Sequence, residues 1–163
     1  MNRFIFTFIF FALSLDTSAC SFAPGYQDFL VMPAYENSGK APNIPKVEVS
    51  EIIRGHNDGN FASCSDAGII RLRFTDGNPY HKTGYSFKII EGTFEDKVFP
   101  DGYVMPPASL KSENEVMFVW LDGSKSYQEP IDIKVEIRAM SYRGIESKPY
   151  VLHIKHPGGT SNR

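Results

Sequence analysis

The sequence predicts an all-β domain of seven short antiparallel strands that forms a sandwich, preceded by a leader and an irregular N-terminal arm. Two observations carry this prediction. Apolar and polar residues alternate in several short runs, which is typical of strands with one buried face. The dipeptide Asp-Gly, which tolerates the positive φ angles of tight turns, occurs four times after residue 57. No run shows the period of a convincing helix.

The first nineteen residues have the pattern of a secretory signal peptide. Arg3 supplies a basic start, an apolar run follows over residues 4–15, and Ser18 and Ala19 are small residues of the kind found at a cleavage site. About a dozen apolar residues are too few to span a bilayer as a helix. We therefore expect a mature chain that begins at Cys20 and works outside the cytosol, secreted, in the periplasm or at the outer surface.

Cys20 has two alternative fates that exclude each other. In an oxidising compartment it forms a disulfide with Cys64, which would stabilise the fold by about 3–4 kcal/mol through loop entropy. Alternatively, Ser18-Ala19-Cys20 resembles the lipobox of bacterial lipoproteins, in which the cysteine carries acyl chains and anchors the protein to a membrane. Lipidation would leave Cys64 as an odd thiol.

The arm covers residues 20–43 and combines aromatic residues with proline and glycine without any period. Its aromatic content is higher than that of a purely disordered linker, and the sequence leaves open whether the arm lies against the domain. The domain then covers residues 44–157, and residues 158–163 form a flexible tail. The predicted strands are 46–53, 68–74, 85–92, 104–110, 115–121, 131–140 and 150–156.

Two of these strands are informative about packing. In the sixth, aliphatic residues alternate strictly with charged ones from Ile131 onward, so one face packs and the other meets water. In the fifth, both faces are apolar between Val116 and Leu121. An antiparallel sandwich usually buries one face of each sheet, so we expect this second face to be covered by the aromatic arm or exposed as a patch.

The order of these features resembles a fibronectin type III domain. The resemblance covers residues 42–157 and rests on a proline-rich start, a first strand at Val47-Glu48-Val49, the alternation Ile133-x-Val135-x-Ile137-x-Ala139, and the following segment from Tyr142 to Pro149. It implies an immunoglobulin-like sandwich that binds or spaces partners and seldom catalyses a reaction.

Charge and motifs exclude several functions. The formal net charge is −2, and removing the leader does not change it because Arg3 and Asp16 cancel. Without a basic stripe we expect no nucleic-acid partner, and we expect a membrane contact only if Cys20 is lipidated. The sequence has no nucleophile elbow and no glycine-rich phosphate loop, so we predict no cofactor and no catalytic residues.

Candidate metal and acid–base residues favour ordinary structural roles. His153 and His156 point to opposite faces of a strand, and the polar cluster after His56 suits a turn better than a calcium site, so we predict no metal. His81 lies in a predicted loop. A glycosidase would need two converging carboxylates, for which the candidates are Asp76, Glu91, Glu95 and Asp96.

Aromatic residues in the loops are the candidates for partner contacts. Tyrosines fall in or beside predicted loops, where they supply contact area at low entropic cost: Tyr80, Tyr103, Tyr127 and Tyr142. The pair Tyr142 and Arg143 combines two residue types that are enriched at binding hot spots. We predict a non-enzymatic binding or structural module of the cell envelope, with an envelope or extracellular protein or a glycan as partner. The alternative is a small secreted hydrolase or metal-dependent enzyme.

Overall fold

The computed structural model of the chain describes residues 25–32, 39–56, 58–59, 63–94, 97–108, 114–123 and 128–159. The predicted leader, Cys20 and the last four residues lie outside these ranges. Two three-residue 3-10 helices, Cys64–Asp66 and Tyr80–Lys82, accompany the strands. The strands are β1 (Gln27–Asp28), β2 (Val47–Ile53), β3 (Ala67–Phe74), β4 (Thr83–Glu91), β5 (Val104–Met105), β6 (Glu115–Leu121), β7 (Ile131–Ser141) and β8 (Tyr150–His156).

The strands form two antiparallel sheets. One contains five strands in the order β1-β5-β4-β7-β8, and the other contains three in the order β2-β3-β6. All seven predicted strands have a counterpart, and the all-β sandwich is confirmed. The strand predicted over 104–110 is limited to Val104–Met105 in the described residues, because the two prolines that follow, Pro106 and Pro107, cannot donate to a strand ladder. Within the described residues of the arm, the structure adds a further strand, β1, where the sequence predicted an irregular segment.

The core lies between the two sheets because alternate residues of each strand face inward. In β7, Ile131 to Ala139 are buried at every second position, as the alternation predicts. The three-stranded sheet contributes Leu72 and Phe118, and the five-stranded sheet contributes Phe87, whose ring meets that of Phe118 edge-on at 5.0 Å. These contacts remove the apolar faces of both sheets from water, which is the main force that holds them together.

The strand order is that of an immunoglobulin-like domain. In that fold the first, second and fifth strands share one sheet, and the third, sixth and seventh share the other. Here β2, β3 and β6 form the first set, and β4, β7 and β8 form the second, with β5 beside β4 as an additional short strand. Trp120 lies on β6 and packs against Gly68, where an added Cβ would stand 2.2 Å from the indole.

Only some of the four Asp-Gly dipeptides lie in tight turns between paired strands. Gly59 has φ +86° in the β2–β3 hairpin, but Gly77 and Gly123, at φ +73° and +68°, lie where the chain passes from one sheet to the other. Gly102 has no positive φ. The β7–β8 hairpin turns instead at Gly144, with φ +79°. A positive φ favours a sharp turn, but it does not decide which strand the chain pairs with next.

The arm connects the two sheets along one side of the sandwich. Gly25 bridges to Met117 of β6, whereas Gln27 and Asp28 pair with β5 in the other sheet. Phe29 continues this path, since its N–H donates to the carbonyl oxygen of Tyr103 at 2.8 Å and its side chain is buried. The arm therefore packs on the domain and closes the gap between β5 and β6.

The second apolar face of β6 is covered only in part. Met117 and Val119 are half-buried, whereas Leu121 is 73% exposed. The described part of the arm reaches the edge of this strand through Gly25. The expectation of an exposed patch therefore holds at the Leu121 end of the strand.

Candidate functional site

A groove of about 800 Å³ lies beside β4, lined by polar side chains of the outer face of the five-stranded sheet and by aromatic residues on the core side, Phe87, Phe94 and Phe99. Its floor comes from β4 and β7, and one wall comes from the segment 97–103 that leads into β5. Its size is within the range of ligand-binding clefts. It is the candidate binding site of this protein.

Two cross-strand pairs form the floor of the groove. Ser86 stands opposite Arg138, and Lys88 stands opposite Glu136, because the β4–β7 register is regular over this stretch. All four side chains point away from the core, since the residues between them are the buried ones. The same alternation that places apolar residues in the core thus places polar residues on the opposite face of the sheet.

Arg138 is held between two glutamates. Its Nε donates to Glu136 Oε1 at 2.9 Å, and its Nη1 lies 3.6 Å from Glu146 Oε2. The hydrogen bond to Glu136 raises the pKa of the guanidinium. Glu146 also accepts a hydrogen bond from the Tyr103 hydroxyl. Burial and this bond to Glu146 together raise the pKa of Tyr103, so its hydroxyl stays protonated and acts as a donor.

The groove has balanced charge and exposed polar groups. Three basic side chains and three acidic ones line it, namely Lys88, Lys97, Arg138, Asp101, Glu136 and Glu146. Arginine and tyrosine are the residue types that most often dominate binding energy, and here Arg138 and Tyr103 approach the same glutamate. The arrangement can therefore donate and accept hydrogen bonds along one face, and it suits recognition of a polar partner.

The structure gives Tyr142 an internal role. Its ring stacks on Phe29 of the arm at 5.0 Å, its hydroxyl donates to the His81 carbonyl oxygen at 2.7 Å, and its own carbonyl oxygen accepts from Met32. Arg143 is half-buried beside it. Their contact with a partner stays a prediction. Of the other loop tyrosines, Tyr103 lines the groove, Tyr80 opens the second 3-10 helix, and Tyr127 lies outside the described residues.

Cys64 is exposed and begins the 3-10 helix between β2 and β3. Ser63 caps this helix, and the Asp66 carboxylate accepts from the Ser63 N–H, which fixes the position of Cys64. Cys20 lies outside the described residues, so the choice between disulfide and lipidation stays a prediction.

The four histidines occupy different settings. His56 and His81 are exposed in connecting segments, and His153 is exposed on β8, where its Nε2 lies 2.6 Å from Asp132 Oδ1. His156 is half-buried on the opposite face of the same strand, as predicted. No group of three or more histidine, cysteine or acidic side chains placed to hold a metal occurs in the described ranges.

Two of the four candidate glycosidase carboxylates lie in the described residues, and both have other partners. Asp76 accepts a hydrogen bond from the buried Tyr85 hydroxyl at 3.1 Å, and Glu91 pairs with Lys134 at 2.6 Å. Glu95 and Asp96 lie outside the described residues. Across the part of the chain that is described, no helix combines the length and apolar composition needed to cross a membrane.

A second polar cluster closes one end of the sandwich. Arg54 makes a two-bond ion pair with Asp122, with distances of 2.8 and 2.7 Å, and both side chains are almost fully buried. Asp122 also accepts from the Gly55 N–H and from Trp120 Nε1. Burial would raise the Asp122 pKa, but the bonds from Arg54 and Gly55 outweigh it and lower the pKa. Every carboxylate oxygen is engaged, so this cluster is structural.

Sequence reasoning missed most of the groove. Glu136 and Arg138 were interpreted as an ordinary solvated face of the sixth strand, and Tyr103 was named only as one of several loop tyrosines. Their grouping depends on the pairing of β4 with β7 and on the path of residues 97–103, which a single sequence does not show. The polar residues on the outer face of both strands were the available signal.

Comparisons with known proteins carry no argument about the family or the function of this chain. No protein-family model matches the chain, and no curated protein matches it. The structure is similar to the PKD domain of an M14-like peptidase from Thermoplasmatales archaeon SCGC AB-540-F20, with a TM-score of 0.36 and 21% sequence identity, over 74% of this chain and 99% of that one. The fold class stated above rests on the strand order of this chain.

Proposed function

We propose that this protein is a non-enzymatic binding module of the cell envelope or extracellular space, which engages a protein or glycan partner. The observation that carries the proposal is the groove, because it places Arg138 and Tyr103 together on a sheet face made of regular strands. A rigid scaffold lowers the entropy that a surface loses on binding, so such a face suits recognition.

The polar lining supports binding rather than chemistry. Glu146 receives a hydrogen bond from Tyr103 and lies near Arg138, while Arg138 also pairs with Glu136. These carboxylates are therefore engaged by a cation or a donor of the protein itself, and neither stands free as a candidate general acid or base. Hydrogen-bond donors and acceptors remain at the rim for a partner.

We propose that the protein is exported and that Cys20 forms a disulfide with Cys64. The signal-peptide pattern supports export. The described residues contain no free cysteine, which supports the disulfide over lipidation of Cys20. Such a bond would attach the start of the mature chain to the β2–β3 connection, and so fasten the arm at a second point beyond its contacts with β5 and β6.

Photo-crosslinking in the native host tests the binding function. A photoreactive phenylalanine analogue replaces Lys88, which is exposed in the groove, and in a matched variant it replaces Lys46, an exposed lysine outside the groove. After irradiation, adducts are separated under denaturing conditions and identified by mass spectrometry. A glycan adduct is distinguished from a protein adduct by glycosidase and protease digestion.

A discrete adduct from the Lys88 variant that is absent from the Lys46 variant is the expected result. Equal labelling from both positions, or no adduct at any growth stage while the protein is folded and exported, would overturn the proposal. Fractionation of the same cells locates the protein and so separates a failure of export from a failure of binding.

A further inference from the structure

The free edge of β8 differs from the other sheet edges in the described structure. β1 has two residues, β6 is bridged by Gly25, and β2 shifts register between Val49 and Glu51. Short strands, covered edges and bulges all protect a sheet from pairing with other strands. β8 has none of these features, because it pairs with β7 over seven residues without a shift and no other described strand pairs with it.

The direction in which the backbone groups of β8 point follows from the hydrogen bonds made by its neighbour β7. The Ala139 N–H donates to Ser147 Oγ, and the Ala139 carbonyl oxygen accepts from the Ser147 N–H, so Ala139 directs both groups toward the β8 side. Alternate residues of a strand share this direction. Ile133 therefore bonds to β8 as well, through its register partner Ile154.

It follows that the intervening residues of β8 point their N–H and C=O groups away from the sheet. These residues are Val151, His153 and Lys155, and their side chains are all exposed on the outer face. In the described structure no backbone hydrogen bond of this edge is made to another segment. The edge thus offers a row of donors and acceptors that matches an extended chain.

The side chains of β8 define the chemistry of such a chain. The strand contains Lys155 and two histidines and no acidic residue. On the inner side, Tyr150 of β8 and Val49 and Ile52 of β2 pack against the core but remain partly exposed where the two sheet edges face each other. His153 and Lys155 both contact Asp132 of β7, at 2.6 and 3.3 Å. A strand added to β8 would meet these two basic side chains on the side away from Asp132, and it would meet partly exposed apolar groups with its other face.

We infer that β8 binds an extended segment of a partner protein by strand addition, and that this segment alternates acidic and apolar residues. Its acidic side chains lie opposite His153 and Lys155, and its apolar side chains cover the gap between β8 and β2. Opposite charges directly across neighbouring strands stabilise the pair, whereas like charges destabilise it. The inference rests on the proposed function and specifies a protein as the partner.

Pairing of β8 with β8 of a second copy offers no opposite-charge contact. In an antiparallel pair centred on His153, the two His153 side chains face each other and Lys155 stands opposite Val151. An acidic partner strand adds charge contacts that a second copy of β8 does not supply. We therefore expect a monomer in solution, and a dimer joined through β8 would contradict this choice of partner.

Amide hydrogen exchange by NMR tests the edge directly. Without any ligand, the amides of Val151, His153 and Lys155 should exchange fast, and those of Leu152 and Ile154 slowly. The probe is a synthetic peptide that alternates glutamate and valine over the length of β8, and the control peptide alternates lysine and valine. The glutamate peptide should slow exchange at the three outward amides, and the lysine peptide should not.

Two variants separate backbone pairing from charge. Val151→Pro removes one outward donor without touching the β7 ladder, and Val151→Ala is its matched control. We expect about tenfold weaker peptide binding for the proline variant, because it loses one backbone hydrogen bond to the peptide and the geometry around it. The alanine variant keeps this hydrogen bond and should change the binding little. Lys155→Glu should bind the lysine peptide better than the glutamate peptide. This reversal tests strand addition at β8 even if the proline variant does not fold.

Slow exchange at the outward amides of the free protein, or glutamate-peptide binding that leaves them unprotected, would overturn the inference. So would equal binding of both peptides to the native protein and to Lys155→Glu. The groove crosslink measured in the Lys155→Glu background distinguishes the two proposals. If it persists while β8 fails these tests, the binding function stands and strand addition is wrong.

Discussion

The ring of Phe29 lies against Gly84, and a Cβ added to that glycine would stand 2.3 Å from Phe29 Cδ1. Gly84 is on β4, so the arm reaches across β5 and fills a niche in the five-stranded sheet that exists only because the strand carries a glycine there. Tyr142 covers the other side of the ring at 5.0 Å, with the two planes inclined by 12°. The arm is thus an integral part of the sandwich.

A double-mutant cycle on this contact should show strong non-additivity. Phe29→Ala should lower the free energy of unfolding by about 3 kcal/mol, as for truncation of a buried aromatic residue. Gly84→Ala should also destabilise the native protein because its Cβ displaces the ring. In the Phe29→Ala background, the second substitution should have little effect or stabilise the strand. Urea denaturation measures all four states, and additive effects would show that the arm does not dock here.

Removal of Asp122 should be among the most damaging single substitutions. Asp122→Ala leaves the Arg54 guanidinium buried without its counter-ion, so we expect a loss of about 3–5 kcal/mol in the free energy of unfolding. Replacing both residues by leucine should recover a large part of that loss. A double variant as unstable as the single one in thermal denaturation would contradict this account of the cluster.

The stability of the protein should fall in mild acid because of His156. Arg54 Nη1 lies 3.4 Å from His156 Nδ1, and the Gly158 N–H donates to the same nitrogen at 3.2 Å, so the neutral ring is the form that accepts these bonds. Burial, and then the charge of Arg54, lower the pKa of His156. The unfolded chain therefore takes up a proton first as the pH falls.

The sign and size of this effect can be measured. The contribution of His156 is fully present above about pH 6.5, the ordinary pKa of histidine, and is lost as the pH falls through the lower pKa of the folded state. In His156→Asn the side-chain oxygen can accept the same hydrogen bonds but does not titrate. The free energy of unfolding should therefore change less steeply with pH, by up to about 1.4 kcal/mol per pH unit. Identical slopes for both proteins would exclude this role.

The state of Cys20 is decided by the intact mass of protein purified from its native host. We expect a chain that begins at Cys20 and is two hydrogen atoms lighter than its reduced form, with thiols that react with an alkylating reagent only after reduction. Added acyl mass with one reactive thiol would instead identify a lipoprotein. A mass that retains the first nineteen residues would contradict export through a cleaved signal peptide.

The sequence predicted the positions of the strands well because each strand carries its own signal. In β7 and β3 the alternation of apolar and charged residues is local, and the pleat converts it directly into one buried and one exposed face. Whether the arm packs on the domain was left open by the sequence, and Gly84 on β4 was an unused signal for where Phe29 docks.

The groove and the free edge could not be derived in the same way. Both depend on which strands are neighbours, and the turns do not determine this, as Asp76-Gly77 shows by leading from one sheet to the other. The opposition of Ser86 and Arg138 follows from the β4–β7 register, which joins residues that are distant in the chain. Tertiary pairing, rather than local preference, decides where these polar groups converge.

The most direct test of the binding function is the affinity of the crosslinked partner, once purified, for two matched arginine variants. Arg138 and Arg73 both stand on outer sheet faces beside two glutamates, but only Arg138 lines the groove. We predict that Arg138→Ala weakens binding about thirtyfold, as for a hot-spot residue, and that Arg73→Ala leaves it unchanged. Equal affinities for the native protein and both variants would show that the groove is not the binding site.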